Sequence, residues 1–329
     1  MRIASIRDSG VEKACFNIDG ELYDINEIVK ILGLNIDKNG KNINEYICNG
    51  NIFKFNKLKN HLDKSFEFIN FKIESKKIDE LQNILIKKNE IKYRPPVFNC
   101  PNMFGIVQNS PQFWRKKNEC IKKFVAGYIR APGSMVGHEE IVEIPPYCGS
   151  FRAAAELGVV IGNTASKVSE SSAMEYVFGY TCVNDMISNY WKEFTIRNNP
   201  KNEPRFFEYL VTSYYGRGTK TFGPVGPFIV SKDEIDDPYN LLLFTKFNGE
   251  IMDRAYNNSM INGIEKVISD LSSFMTLNPG TIIHMGTMGI DGITFDADKP
   301  LNDKDYVEIE IENIGILRNY FNDKRFRGK

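Results

Sequence analysis

The stretch Ala153–Trp191, AAAELGVVIGNTASKVSESSAMEYVFGYTCVNDMISNYW, limits what this chain can fold into more than any other. It holds two short apolar runs, Leu157–Ile161 and Val177–Val183, rich in β-branched or aromatic residues and bounded by Gly or Asn. Such runs read as buried strands. Ser169–Val177 between them reads as a short helix with Ser169 at its N-cap. A carboxylate stands at the edge of each run: Glu156 opens the first and Asp185 closes the second. Two readings are open. The pair could form a divalent-cation site, because hard cations take oxygen ligands, or the two could be ordinary polar residues at strand ends.

With 329 residues the chain can bury a large core in one or two domains. Lys+Arg and Asp+Glu both number 42, so a nucleic-acid or anionic-membrane partner has no electrostatic support. No run approaches the ~18 apolar residues of a membrane span. The start, MRIASIRDSGVEKACF, has no apolar core of a signal peptide, so the expected compartment is the cytoplasm. The six cysteines are scattered without a CxxC pair, which argues against zinc and against a disulfide framework. Only three histidines, His61, His138 and His284, are present, which limits any mechanism built on a histidine base.

Before the central stretch, Cys15–Ile18 and Leu22–Ile25 flank Asp19-Gly20 as a β-hairpin. Residues 31–92 are rich in Lys, Asn and Ile, with helical spacing at Ile78, Leu81, Ile84 and Leu85. Tyr93-Arg94-Pro95-Pro96 reads as a linker, which places a small N-terminal α+β domain over 1–95 and a second domain over 96–329. Met103–Val107, Phe124–Arg130 and Ile141–Ile144 read as strands, and Pro111–Asn118 as a polar loop or short helix. Beyond the central stretch, Arg217–Pro227 packs three glycines, two prolines and two cations into a sharply folded loop. Such a loop can present backbone N–H groups and cations to an anion, or can be a plain turn. Phe228–Val230, Leu241–Phe247, Thr281–Met285 and Tyr306–Ile311 read as strands, with Asn248-Gly249 as a type I′ turn. Ile261, Ile264, Ile268, Leu271 and Met275 form one helical stripe, with cap candidates at Asn257, Asn258 and Ser259. The basic tail Lys324–Lys329 reads as disordered.

From about Phe98 to Phe321 the chain resembles the fumarylacetoacetate hydrolase family. The residues that carry the likeness are Ser134–His138 with Ile144-Pro145-Pro146, Glu156–Gly162, Gly179-Tyr180-Thr181 with Asn184-Asp185, Gly223-Pro224 with Gly226-Pro227, Met275-Thr276-Leu277 with Pro279-Gly280, Gly286-Thr287, and Ile314-Gly315 with Leu317-Arg318-Asn319. The resemblance implies a mixed β-rich α+β fold. Its C-terminal domain would be mixed β-sheets rolled into an open barrel, beside a smaller, variable N-terminal domain, and the protein a homodimer. It also implies a small anionic substrate, a 2-oxo or 1,3-dioxo acid, whose enolate is stabilised by Mg²⁺ or Mn²⁺. Glu156 and Asp185 match two metal ligands, and Thr287 matches a hydroxyl that holds the substrate carboxylate.

Several positions depart from the family pattern. Where the family has Glu-x-Glu, this chain has Ala154-Ala155-Glu156, which deletes one ligand, so metal affinity should be weak or lost. The loop that usually carries a His–Glu pair reads Asn109-Ser110-Pro111-Gln112-Phe113-Trp114-Arg115-Lys116, with Phe113 and Lys116 at the two positions. The water-activating base is absent, and C–C hydrolysis is disfavoured. Arg217 aligns with the family's catalytic Lys, and can polarise an oxyanion but not act as a base. Lys220 aligns with the Asp that follows it, either compensating for a missing metal or pointing to solvent. Arg130 aligns with a substrate-region Lys, and Tyr190 stands where a substrate arginine is usual. The resemblance therefore gives Arg217 and Lys220 as catalytic, Arg130, Tyr190 and Thr287 as substrate-binding, and Glu156 and Asp185 as metal-binding. The expected chemistry is decarboxylation, tautomerisation or another lyase step. The alternatives are a metal-independent reaction run by the Arg and Lys side chains, and a binding protein without turnover.

Overall fold

In the computed structural model, residues 1–34, 55–75, 81–87, 91–97, 99–116, 120–121, 124–189, 212–289 and 292–326 are described. Ser9-Gly10 and Asp19-Gly20 all take positive φ. These turns fold the first residues into a meander of β1 (Arg2–Asp8), β2 (Val11–Ile18) and β3 (Glu21–Asp24). Asp24 then caps α1 (Ile25–Ile31) by accepting from the N–H groups of Asn26 and Glu27. The long helix of this region is α2 (Phe55–Glu74). The helical spacing at Leu81, Ile84 and Leu85 belongs instead to a turn in which the N–H groups of Ile84 and Leu85 both reach the Leu81 carbonyl. Ile78 lies outside the described residues.

The chain continues through β4 (Lys92–Arg94), β5 (Met103–Val107), α3 (Pro111–Lys116), β6 (Ala126–Arg130), β7 (Met135–Val136), β8 (Val142–Ile144) and β9 (Phe151–Ala153). The two runs of the central stretch are β10 (Ala155–Ile161) and β11 (Val177–Asn184), both buried throughout, and β12 (Ile187–Ser188) follows. Between β10 and β11 lies a tight 3₁₀ segment, Glu170–Tyr176. Ser169 occupies its N-cap position without a capping side-chain bond. Next come β13 (Gly223–Ser231), β14 (Leu242–Phe247), β15 (Glu250–Tyr256), α4 (Ile264–Phe274), β16 (Ile282–His284), β17 (Ile293–Phe295), β18 (Tyr306–Ile311) and β19 (Gly315–Asp323). Half of the expected Arg217–Pro227 loop is therefore strand β13. Gly263 stands at the N-cap of α4, and Asn257–Ser259 form a separate turn.

One large sheet runs in the order β3-β2-β1-β13-β11-β10-β16-β5-β6, with β4 on β1 and β7 on β13. A five-stranded sheet, β15-β14-β18-β19-β8, and a three-stranded sheet, β12-β9-β17, complete a β-rich α+β architecture. The β13–β7, β16–β5 and β19–β8 pairs are parallel, so the sheets are mixed. Strand β1 pairs antiparallel with β13, and β4 pairs with β1, so ladder bonds run across the expected boundary at residue 95. One core cluster, with Leu157, Val159 and Ile161, takes in α4 and the smaller sheets. A second, with Val160, Ile282 and Met103, is shared with Ile28 of α1 and Leu62 and Ile69 of α2. Successive strand residues point to opposite faces, so these clusters lie on opposite faces of the large sheet. Contrary to the expectation of disorder, the start of the basic tail is packed. Arg325 is 6% exposed, pairs with Asp323, and donates to the carbonyls of Gly149, Asp296 and Lys299. Among the described residues no helix is long and apolar enough to cross a membrane.

Candidate active site

Register across the large sheet builds the site. Thr181 on β11 lies opposite Gly158 on β10, Gly158 opposite His284 on β16, His284 opposite Gly105 on β5, and Gly105 opposite Tyr128 on β6. Opposed residues share a face, so small and large residues alternate along one row. Gly105 is required by this packing. A Cβ there would lie 2.2 Å from the Tyr128 ring, which lies across the glycine. The Tyr128 hydroxyl thereby comes within 3.3 Å of His284 Nε2 and donates to Asp185 Oδ1 at 2.7 Å. Glu156 and Arg130 lie two residues from members of the row, on the same face.

Glu156 is 2% exposed and fully engaged. Its Oε2 pairs with His284 Nδ1 and accepts from the Gly286 N–H at 3.0 Å, and its Oε1 accepts from the Thr287 hydroxyl at 2.9 Å. Gly286 reaches the carboxylate at φ +91, where an added Cβ would meet the Ile106 carbonyl oxygen at 2.9 Å. Only glycine fits that turn.

Asp185 follows the last residue of β11, held by its N–H to the Ala154 carbonyl at 2.9 Å. Its carboxylate is ion-paired with Arg130, and Arg217 Nε donates to its two oxygens at 3.4 and 3.3 Å. Burial would raise the Asp185 carboxyl, but the Arg217 and Arg130 charges outweigh it and hold it far below the ordinary carboxylate range. Burial, with the negative charge of Asp185, pushes the Tyr128 phenol well up, so it stays protonated. For Arg217, burial opposes the charge, and Asp185 more than restores it.

The expected site residues divide. Glu156, Asp185, Arg130, Arg217 and Thr287 come together. Arg130 is wholly buried and spends its guanidinium inside the protein, with Nη1 on the carbonyls of Arg217 and Phe222 and Nη2 on Asp185 and the Met186 carbonyl. Its observed contacts make it the anchor for Asp185 and the Arg217 segment. Arg217 stacks over the Tyr128 ring at 4.4 Å, and its Nη atoms donate to no described residue. Lys220 is exposed. Tyr190 lies outside the described residues. Sequence reasoning missed Tyr128 and His284. Tyr128 had one signal, its place two residues before Arg130 on one strand; His284 had only its place beside the Gly286-Thr287 turn.

The segment with Phe113 and Lys116 in place of a His–Glu pair is pinned beside the site. Asn109 donates to the carbonyls of Asn262 and Met285, Ser110 to that of Met288, and the buried Trp114 indole to that of Gln108.

Residues 102–322 match the model of the fumarylacetoacetate (FAA) hydrolase C-terminal family. The chain belongs to the fumarylacetoacetate hydrolase family. An uncharacterized protein of Staphylococcus haemolyticus is 30% identical over 254 residues, covering 75% of this chain and 76% of that protein. Among solved structures of this fold, the fumarylacetoacetate hydrolase of Exiguobacterium antarcticum is similar with TM-score 0.67 and 19% identity, covering 98% of this chain and 100% of that one. The maleylpyruvate hydrolase of Sphingobium sp. SYK-6, in complex with manganese(II) and pyruvate, is similar with TM-score 0.64 and 20% identity, covering 98% and 99%.

The family's cation requires oxygen donors that are not already spent. Here Ala154 is fully buried and has no donor side chain, Glu156 already accepts three hydrogen bonds, and Asp185 is clamped by two guanidiniums. Among the described residues no three His, Cys, Asp or Glu side chains converge as a metal-binding group. Two carboxylates against two guanidiniums are already neutral, so a divalent ion would add two uncompensated charges to a buried cluster. The donor set does not fit the ion.

Proposed function

We propose that this chain is an enzyme that stabilises the enolate of a small anionic oxo acid, by tautomerisation, decarboxylation or a related lyase step. The observation that carries the reading is the Asp185 clamp, with Arg217 held on one buried carboxylate and its Nη nitrogens donating to no described residue. In both reaction types an electron pair moves onto the oxo oxygen, from a C–H bond as its proton passes to solvent or from a C–C bond as carbon dioxide leaves, and solvent returns a proton to carbon when the enolate collapses. A fixed guanidinium in a poorly hydrated site stabilises that charge without reorganising. Thr287, half-buried, holds its hydroxyl on Glu156. Phe113 and Lys116 cannot replace the water-activating pair, which favours these steps over C–C hydrolysis. The Mg²⁺ or Mn²⁺ expected from the family has no part in this reading.

The test is hydrogen–deuterium exchange, followed by NMR, at the carbon beside the oxo group across a panel of 2-oxo and 2,4-dioxo acids. Enzyme-dependent exchange with at least one acid, lost in Arg217→Gln, is the expected result. No exchange and no loss of carbon dioxide with any of them would contradict the reading.

A further inference from the structure

We infer that this chain has exchanged the family's divalent cation for a protein cation. The Arg130–Asp185–Arg217 clamp excludes a metal ion, and the outer edge of Arg217 receives the substrate's carboxylate or oxo oxygen directly. This rests on the oxo-acid reading above for the ligand, but not for the exclusion of metal.

The exclusion follows from how each carboxylate is spent. Binding an ion at Asp185 would require displacing Arg217 from Oδ2 or Arg130 from Oδ1, and Arg130 has nowhere to go. It is wholly buried, and its Nη1 supports the backbone carbonyls of Arg217 and Phe222, at 2.8 and 2.7 Å. Binding at Glu156 would have to compete with the bond from Thr287 at Oε1 or with those from His284 and Gly286 at Oε2. Neither carboxylate can turn toward the other without leaving buried donors unmet.

The replacement follows from the same geometry. Asp185 and the Tyr128 ring fix the Arg217 guanidinium from two sides, through Nε and through a stacking distance of 4.4 Å. Its side chain is 11% exposed, so its charge is scarcely hydrated. A planar guanidinium whose Nη edge meets no described acceptor matches a carboxylate or 2-oxo acid by two parallel N–H···O bonds.

Calorimetry separates the two parts. EDTA-treated wild-type protein is titrated with Mn²⁺, and with oxalate, a planar dianion that mimics the enolate of a 2-oxo acid. The expected result is no saturable Mn²⁺ heat into the millimolar range, and oxalate binding in the presence of EDTA. Arg217→Gln should weaken oxalate by roughly tenfold or more, and Arg217→Lys by less, with the fold checked by circular dichroism. Stoichiometric Mn²⁺ binding that Asp185→Asn abolishes would overturn the exclusion. Oxalate binding that needs Mn²⁺, or that Arg217→Gln leaves unchanged, would overturn the replacement. If oxalate binds neither with nor without Mn²⁺, the oxo-acid reading fails and the role of Arg217 with it. The wild-type Mn²⁺ titration still decides the exclusion, whatever the variants do.

Discussion

At the residue scale, the site is a chain of buried polar groups in which each carboxylate is held by three donor residues. Arg130 carries the largest share, so Arg130→Met should strip Asp185 of one of its two guanidiniums and leave three carbonyls without this donor. Breaking one partner of a buried ion pair costs about 3–5 kcal/mol, and chemical denaturation should show a loss of that order. A near-neutral result would mean that Arg130 is not the anchor. Gly286→Ala tests the turn that brings an N–H to Glu156. It forces a β-carbon into a left-handed conformation at φ +91, against the Ile106 carbonyl. A loss of at least about 1–3 kcal/mol is expected, read as a drop in melting temperature. The carboxylates themselves were legible in the sequence, because each stands at the edge of an apolar run. Their partners were not. His284 and Tyr128 lie 128 and 57 residues from Glu156 and Asp185, and only strand register brings them near.

At the element scale, buried strands announced themselves and exposed ones did not. The β10, β11 and β18 runs are apolar or strictly alternating, and the strands fall where the pattern puts them. Strand β15, Glu250–Tyr256, is an edge strand with mostly exposed side chains, so no hydrophobic pattern marks it. The Asn248-Gly249 turn was readable because both residues take the positive φ that a type I′ turn needs. Half of the Gly- and Pro-rich loop became β13, because pairing with β11 and β7 overrides local breakers. The connection from β7 to β8 carries a pH-sensitive tie. His138 Nδ1 accepts from the Arg318 N–H of β19 at 3.0 Å, and Glu139 lies 3.7 Å from Nε2. Burial, helped by the Arg318 charge, lowers His138 from 6.5 to about 4. The unfolded chain therefore binds the extra proton between those values, and stability rises with pH across that window. The contribution is complete above about pH 6.5 and is lost as pH falls toward 4, up to about 3 kcal/mol. Urea denaturation from pH 7 to pH 4 should show this fall, and His138→Gln should flatten it. An unchanged slope in the variant would assign the effect elsewhere.

At the scale of the molecule, one large sheet serves two purposes on the same face. Toward one end Val160, Ile282 and Met103 belong to the cluster shared with α1 and α2; further along, β10 and β16 present Glu156 and His284, and the neighbouring β6 presents Tyr128. The family resemblance covered this architecture, but not how the site compensates for Ala154. A missing ligand reads from sequence as weakened metal binding, whereas in the fold Asp185 is held by two guanidiniums and Glu156 by His284, Gly286 and Thr287. Restoring the ligand should therefore not restore the ion. Ala154 is fully buried, with its Cβ 2.7 Å from where a Cβ on Gly292 would stand, so Ala154→Glu should lower the melting temperature and gain no Mn²⁺ affinity. The most direct test of the guanidinium-for-metal account is a crystal structure grown with Mn²⁺ and oxalate, using the anomalous signal of manganese. The account predicts no anomalous peak between Glu156 and Asp185, and oxalate seated on the outer edge of Arg217. A manganese peak ligated by both carboxylates, with Arg130 or Arg217 swung away from Asp185, would contradict it.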